Sequence, residues 1–343
     1  MNWSYFIMKH LSFPSIEQFR NVVNTVRNRA KYDGIDVLPT ITFRGTVKSH
    51  GTNASIVYDR VDNVFYAQSR SNVLSLENDN AGFCQFFENN REYFENLLKS
   101  NSIMNRRYTT IYGEWCGGNI QKGVAINGLP KMFLVFAICF LDLESDDNRN
   151  DVWVMSNLNE YIKGVDNKIG VYHIESFPTF DIKINFNHPE LVQNQLVTYT
   201  EEIENECPIG KYFGVSGTGE GIVYSPIECS ENFNLCGLMF KVKGEKHSVS
   251  KVKTLAAVDV EVINSMNELV DSLATLNRFE QGITVFKEQG IDINDSKNTK
   301  LFIDWVKNDV IKEDKDTILA SGLDFGKIVG NISSKAGKWF NSR

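Results

Sequence analysis

Thr40-Ile41-Thr42-Phe43-Arg44-Gly45-Thr46-Val47, followed at once by Lys48-Ser49-His50-Gly51-Thr52-Asn53, is the stretch whose reading decides the fold. Ile41, Phe43, Gly45 and Val47 alternate with more polar residues. A period of two predicts a half-buried strand. The strand runs into Lys48, and Gly51 then opens a turn. An amine in that position can be a nucleophile if its proton is removed and its target is held still. Taken alone, a lysine after a strand is usually a solvated edge residue. The choice depends on what the rest of the chain supplies.

Outward from this stretch, residues 54–58 and 64–67 read as paired strands around an Asp62-Asn63 turn. Upstream, Ser15-Ile16-Glu17-Gln18 has the form of a capping box, and Ile16, Phe19, Val22, Val23 and Val26 follow at helical spacing. A helix over 15–31 is predicted. Phe83, Phe86, Phe87, Phe94, Leu97 and Leu98 form a stripe best read as the core face of a helix. Residues 109–115, 132–140, 221–224 and 238–242 read as strands, and Asn187 before Pro189 opens a helix to about 206. Beyond about 250 the pattern turns helical, with Val258, Val262, Met266, Leu269, Leu273 and Leu276 at three- or four-residue steps. The expected fold class is α+β. Residues 1–250 form a domain of antiparallel sheets with flanking helices, and 251–343 a small all-helical one.

The bulk numbers set limits. The 343 residues suffice for one large and one small domain. A net charge of -7 argues against a uniformly basic nucleic-acid binder but leaves room for a local basic groove. Cys84, Cys116, Cys139, Cys207, Cys229 and Cys236 include no C-x-x-C pair, so they read as reduced thiols of a cytosolic protein. No signal-peptide pattern opens the chain, and no apolar run is long enough to span a membrane.

The chemistry follows from charge. A free lysine has a pKa of about 10.4 and is protonated at neutral pH. A nucleophilic one needs burial or neighbouring cations to lower it. Lys241 and Lys243 alternate on a predicted strand and so share one sheet face. Set beside Lys48, they would favour its neutral form and neutralise charge on an α-phosphate. A triphosphate also calls for Mg²⁺ and hence carboxylates. Glu114, before Gly117-Gly118, and Glu220, between Gly219 and Gly221, are the candidates. Singly, each has an ordinary reading as a cap, a salt bridge or an exposed strand face. Gly217-Thr218-Gly219-Glu220-Gly221 lacks the lysine and the strand–loop–helix setting of a phosphate loop.

Taken together and in order, these residues resemble the bacteriophage RNA ligase 2 family, ATP-dependent RNA ligases of the covalent nucleotidyltransferase superfamily. Lys48-Ser49-His50-Gly51-Thr52-Asn53 resembles its K-x-H-G-T-N motif, and Ser69-Arg70-Ser71 a segment with an essential arginine. Tyr112-Gly113-Glu114-Trp115 and the downstream Ile120-Gln121-Lys122 fit the next motif. Phe133-Leu134-Val135-Phe136, Glu220-Gly221-Ile222-Val223 and Lys241-Val242-Lys243 fit the later ones, and Thr275-Leu276-Asn277-Arg278 a run in the helical C-terminal domain.

The resemblance implies an adenylation domain and three steps. Lys48 attacks the ATP α-phosphate to form lysyl–AMP. AMP passes to an RNA 5′-phosphate. A 3′-hydroxyl then attacks, sealing the strand and releasing AMP. It also implies that Glu114 holds the ribose, Phe136 stacks on adenine, Glu220 serves phosphates and metal, and Lys241 and Lys243 contact the α-phosphate. Arg70 and Asn53 would serve the nick phosphate, and His50 would shape the phosphate side. The implied cofactors are ATP and Mg²⁺ or Mn²⁺, with Glu220 and Glu114 as metal ligands. The implied partner is a nicked RNA duplex or an RNA/DNA hybrid, bound by a monomer in the cytoplasm, the host's if the source is a phage. Val47 stands where close relatives often carry glutamate, and Ala137 where they often carry aspartate. Both changes remove a carboxylate beside the nucleotide.

Lys241, Lys243, Lys246, Lys251 and Lys253, with His247, form the densest basic stretch and abut the domain junction. They read as an RNA groove or as a solvated linker. Lys327, Lys335, Lys338 and Arg343 make a basic tail. Two other readings stay open: a DNA or mixed-strand ligase on the same scaffold, and a nucleic-acid-binding protein without turnover. A capping guanylyltransferase fits the H-G-T-N run and the helical C-terminus less well.

Overall fold

The computed structural model describes residues 8–102, 106–142, 151–227, 235–244 and 266–343. In chain order the first part carries β1 (Glu17–Gln18), α1 (Phe19–Tyr32), β2 (Thr40–Val47), β3 (Gly51–Asp59), β4 (Val64–Ser69), α2 (Phe83–Asn89), α3 (Arg91–Asn101), β5 (Tyr108–Cys116) and β6 (Met132–Leu141). It continues through β7 (Val152–Val154), α4 (Leu158–Tyr161), β8 (Val171–His173), β9 (Thr179–Asn185), α5 (Gln193–Asn205), α6 (Pro208–Tyr212), β10 (Gly221–Pro226) and β11 (Phe240–Lys243). The last part is helical: α7 (Met266–Leu273), α8 (Leu276–Glu288), α9 (Thr299–Ala320) and α10 (Phe325–Asn341).

Two sheets form the α+β part. One runs β1-β11-β10-β2-β9, the other β4-β3-β5-β6-β7 with β8 also on β6. Pairing is antiparallel except for β1 on β11 and β8 on β6. In β2 the expected alternation holds, with Ile41, Phe43 and Val47 buried between more accessible neighbours. β6 is buried along almost its whole length, the mark of a strand covered on both faces. A large apolar cluster joins α1, α2, α3 and both sheets. A separate cluster, drawn only from residues 266–340, holds α7 to α10 together.

Several local expectations change. Glu17 and Gln18 do not begin a helix. Their backbones pair with Phe240 and Lys241, so α1 starts at Phe19 without a side-chain cap. The sheet edge takes the residues that the capping box would have used. The Phe83–Leu98 stripe is split in two at Asn90, whose φ of -121° leaves the helical region. Residues 235–238 form a 3-10 turn, and the final strand starts at Phe240. β7 and β8, three residues each, are too short to stand out in the sequence, whereas β9 alternates Phe180, Ile182 and Ile184 with Asp181 and Lys183 and is a strand not predicted above despite that period. Most of the dense basic stretch (Lys246, His247, Lys251, Lys253), together with Val258, Val262 and Cys229, lies outside the described residues. In the basic tail, Lys335 pairs with Asp271 at 2.7 Å and the Arg343 guanidinium lies over Trp339 and Phe340. Among the described residues no helix is long and apolar enough to cross a membrane.

Candidate active site

Strand register brings Lys48, Glu220 and Lys243 together. β2 pairs with β10 so that Val47 faces Ile222, and the Lys48 N–H then donates to the Gly221 carbonyl at 2.8 Å. β10 pairs with β11 so that Gly221 faces Lys243. Gly221 has φ +151°, and a Cβ there would stand 2.1 Å from the Val242 carbonyl oxygen. Only glycine lets the two strands close at this point. Glu220, the residue before it, is thereby aimed between the two lysines.

Its carboxylate is nearly buried and fully engaged. Oε2 accepts from Lys48 Nζ at 2.8 Å and lies 3.1 Å from His50 Nδ1, while Oε1 lies 3.1 Å from Lys243 Nζ. Burial alone would raise the Glu220 pKa, but Lys48, Lys243 and His50 hold it well below the usual carboxylate range. Burial pushes Lys48 down, yet Glu220 and Glu114 outweigh it and raise its pKa. Lys243 is the lysine that is lowered, by burial and by Lys48 and Lys241. The sequence led us to expect that the two downstream lysines would favour a neutral Lys48. In this state the reverse holds, because the Glu220 carboxylate stands between the cations.

A cavity of about 200 Å³ opens between the two sheets at this cluster. Val47, Lys48, Asn53, Arg70, Glu114 and Phe136 all line it. Asn53 and Glu114 face one another across β3 and β5. Glu114 Oε1 accepts from the Gly51 N–H at 2.9 Å. Burial, with help from Glu220 and Glu288 and against the pull of Lys48, pushes its pKa up to about 7. Phe136 reaches the cavity through a β-bulge. Tyr112 pairs with Ala137 and Gly113 with Val135, leaving Phe136 as the extra residue. A bulge re-aims one side chain by leaving it unpaired and shifting the register locally. Ala137 is buried in an apolar cluster with Tyr112 and Phe13, and Val47 is buried at the end of β2.

Nine of the ten residues singled out in the sequence thus gather here: Val47, Lys48, Asn53, Arg70, Glu114 and Phe136 line the cavity, and Glu220 with His50 and Lys243 completes the charge cluster around Lys48. Lys241 departs. It shares the face of Lys243, but its Nζ is engaged 3.0 Å from Glu313 Oε1 of α9. Two groups lacked a local signal. Phe13 packs edge-on against Phe136 at 5.0 Å, and its carbonyl accepts from Arg70 Nη1 at 3.1 Å. Its segment is held by Gln68, which bonds both backbone groups of Leu11, and by Tyr112 Oη on the Leu11 carbonyl. The second group is acidic and comes from the helical part: Glu288 and Glu313. Glu313 continues the apolar stripe of Phe302, Val306 and Val310 in α9, and a carboxylate on such a stripe is the one sequence clue to a buried ion pair.

A protein-family model described as RNA ligase matches residues 41–243 of this chain. No curated protein matches it. Among solved structures, Naegleria gruberi RNA ligase with PPi aligns at 17% identity, over 71% of this chain and 58% of that one, with a TM-score of 0.42. A mutant of the same ligase with ATP and Mn aligns at 18% identity over the same shares, also with a TM-score of 0.42. The chain therefore spans less than two thirds of the length of these structures.

Proposed function

We propose that this chain, which belongs to the RNA ligase family, joins RNA 3′-hydroxyl and 5′-phosphate ends at nicks in duplexes, using ATP and a divalent cation. The branch we assign is that of the bacteriophage RNA ligase 2 type, with adenylation in residues 1–250 and a helical domain in 251–343. One observation carries the reading. Lys48, Glu220, Lys243 and His50 form a single charge cluster at a cavity lined by Phe136, Asn53, Arg70 and Glu114.

Lys48 is the nucleophile. Its amine attacks the α-phosphorus of ATP, a P–N bond forms, and pyrophosphate leaves with the electron pair of the broken P–O bond. AMP then passes from Lys48 to the 5′-phosphate of an RNA end, and the 3′-hydroxyl attacks that activated phosphate, expelling AMP. The resting cluster stores Lys48 as an ammonium. A turn of Glu220 towards Lys243, already 3.1 Å away, removes the main influence that holds the proton on Lys48. Burial, the largest single influence on Lys48, then favours the neutral amine, whose proton leaves to solvent water before the attack.

Phe136 supplies one face for the adenine, since an aromatic ring stacks on any base. Glu114, half-ionised near neutral pH, accepts from a ribose hydroxyl. Lys243 and Lys241 take charge on the α-phosphate, and Arg70 and Asn53 receive the RNA 5′-phosphate. Among the described residues no three His, Cys, Asp or Glu side chains are grouped to hold a metal alone. A Mg²⁺ or Mn²⁺ would be held by Glu220 or Glu114 together with phosphates and water. Such an ion would neutralise phosphate charge.

The test is direct. Protein incubated with Mg²⁺ and α-labelled ATP is expected to carry label through a denaturing gel, with Lys48→Ala blank and GTP ineffective. Sealing of nicked RNA, DNA and hybrid duplexes then ranks the substrates. Label that persists in Lys48→Ala would remove Lys48 as the carrier.

A further inference from the structure

Carboxylates of the helical part, among them Glu288, Glu313 and Asp314, lie on groups of the sheet part. Glu313 takes Lys241 Nζ at 3.0 Å and Gln18 Nε2 at 3.1 Å. Asp314 takes Arg20 Nη2 at 2.8 Å, while Arg20 Nη1 donates to Thr317 Oγ1 at 2.6 Å. Glu288, at the end of α8, takes Thr52 Oγ1 at 2.9 Å and acts electrostatically on Arg70. Lys241 and Arg20 are close neighbours, because Gln18 pairs with Lys241 in the sheet edge.

The two parts keep separate apolar cores, so this contact is largely polar. Polar contacts between folding units are exchangeable, since water or another polyanion can replace them. Carboxylate and phosphate compete for the same guanidinium and ammonium donors. Asp314 is also held from within its own unit by buried Arg278 at 2.7 Å, and Arg278 lies 3.7 Å from Glu313. The acids are therefore fixed in place when the helical part docks.

We infer that Arg20, beside the proposed α-phosphate contact Lys241, and Arg70 belong to a surface for the RNA sugar–phosphate backbone, and that Glu288, Glu313 and Asp314 cover these cations as phosphate substitutes. Docking of α8 and α9 and binding of RNA then exclude one another. The choice of RNA as the polyanion rests on the ligase reading. The mutual exclusion rests on the contacts alone.

Asn24 and Asp316 face each other at the exposed edge of the same contact, with 3.2 Å between Nδ2 and Oδ2. The full chain carrying Asn24→Cys and Asp316→Cys is oxidised to lock the contact, and binding to a fluorescent nicked RNA duplex is followed by anisotropy at fixed salt. Oxidation is expected to weaken binding about tenfold or more, and reductant to restore it. Equal binding in both states overturns the inference.

Arg20→Ala separates a phosphate contact from a structural tie. Loss of a phosphate contact weakens binding and lowers the salt slope by about one. Loss of a tie alone would uncover the surface and tighten binding, which overturns Arg20 as a phosphate contact. Glu288→Gln is expected to tighten binding several-fold. Labelling of Lys48 by ATP is scored separately. Lock-dependent RNA binding without label overturns the ligase reading and leaves this one standing, while label with lock-independent binding does the opposite.

Discussion

Glu220 holds Lys48 at 2.8 Å with one carboxylate oxygen while the other lies 3.1 Å from Lys243. The charge state of the proposed nucleophile is therefore set by a residue 172 positions away in the chain.

Replacing that carboxylate is expected to have opposite effects on two measurements. In Glu220→Gln the chief influence raising the Lys48 pKa is gone. Its amine should react several-fold faster with an acylating reagent near pH 8, read by peptide mass spectrometry. ATP-dependent labelling should fall roughly 10- to 100-fold, because a group proposed to serve metal and phosphates is lost. Faster acylation with unchanged labelling would leave Glu220 a purely structural counter-ion. The variant should also lose about 1–3 kcal/mol of stability, since two lysines lose their partner.

Phe136 should behave as a stacking residue. Base–aromatic stacking is worth about 1–3 kcal/mol per base, so Phe136→Ala should raise the KM for ATP in lysyl–AMP formation by roughly 5- to 100-fold. Phe136→Leu keeps the cavity apolar and should recover stability better than KM. Equal recovery of both would reduce Phe136 to packing.

Gly221→Ala tests the close approach of β10 and β11. Its Cβ would lie 2.1 Å from the Val242 carbonyl oxygen, and forcing extra volume into packed structure costs about 1–3 kcal/mol. Urea unfolding should show at least that loss, and labelling should drop with it because Glu220 is displaced.

Acid should weaken the contact between the two parts. Burial would raise Glu313, but Lys241 and Arg278 bring it down to about 2. A carboxylate depressed in the folded state contributes stability that is complete above its unfolded value and lost as pH falls through the folded one. The window here runs from about 4.5 down to about 2. Denaturant titrations of the wild type should lose stability across it, and Glu313→Gln should flatten that slope. Glu220, also depressed, adds to the same acid loss and remains in the variant.

Much of this was legible in the sequence. The period-two run of Ile41, Phe43 and Val47 announces β2, and Leu269 and Leu273 announce α7, whereas Leu276 of the same expected stripe opens α8 and is exposed. These patterns are local, because each element must turn its own apolar face inward. Glycines at 51, 113 and 221 beside Lys48, Glu114 and Glu220 mark where strands approach closely. The paired Glu17 and Gln18 were misread for the same reason: a local capping pattern lost to a partner strand more than two hundred residues away.

By itself the sequence marked out the residues proposed to carry the chemistry, and their order, since Lys48, Glu114, Glu220, Lys241 and Lys243 each stand in a short motif. Only the tertiary structure decided their electrical state and aim. Register put Glu220 between Lys48 and Lys243, a bulge turned Phe136 into the cavity, and α9 brought Glu313 to Lys241. Charge and direction are properties of pairs. The pairs here are separated by tens to hundreds of residues, beyond the reach of any local period.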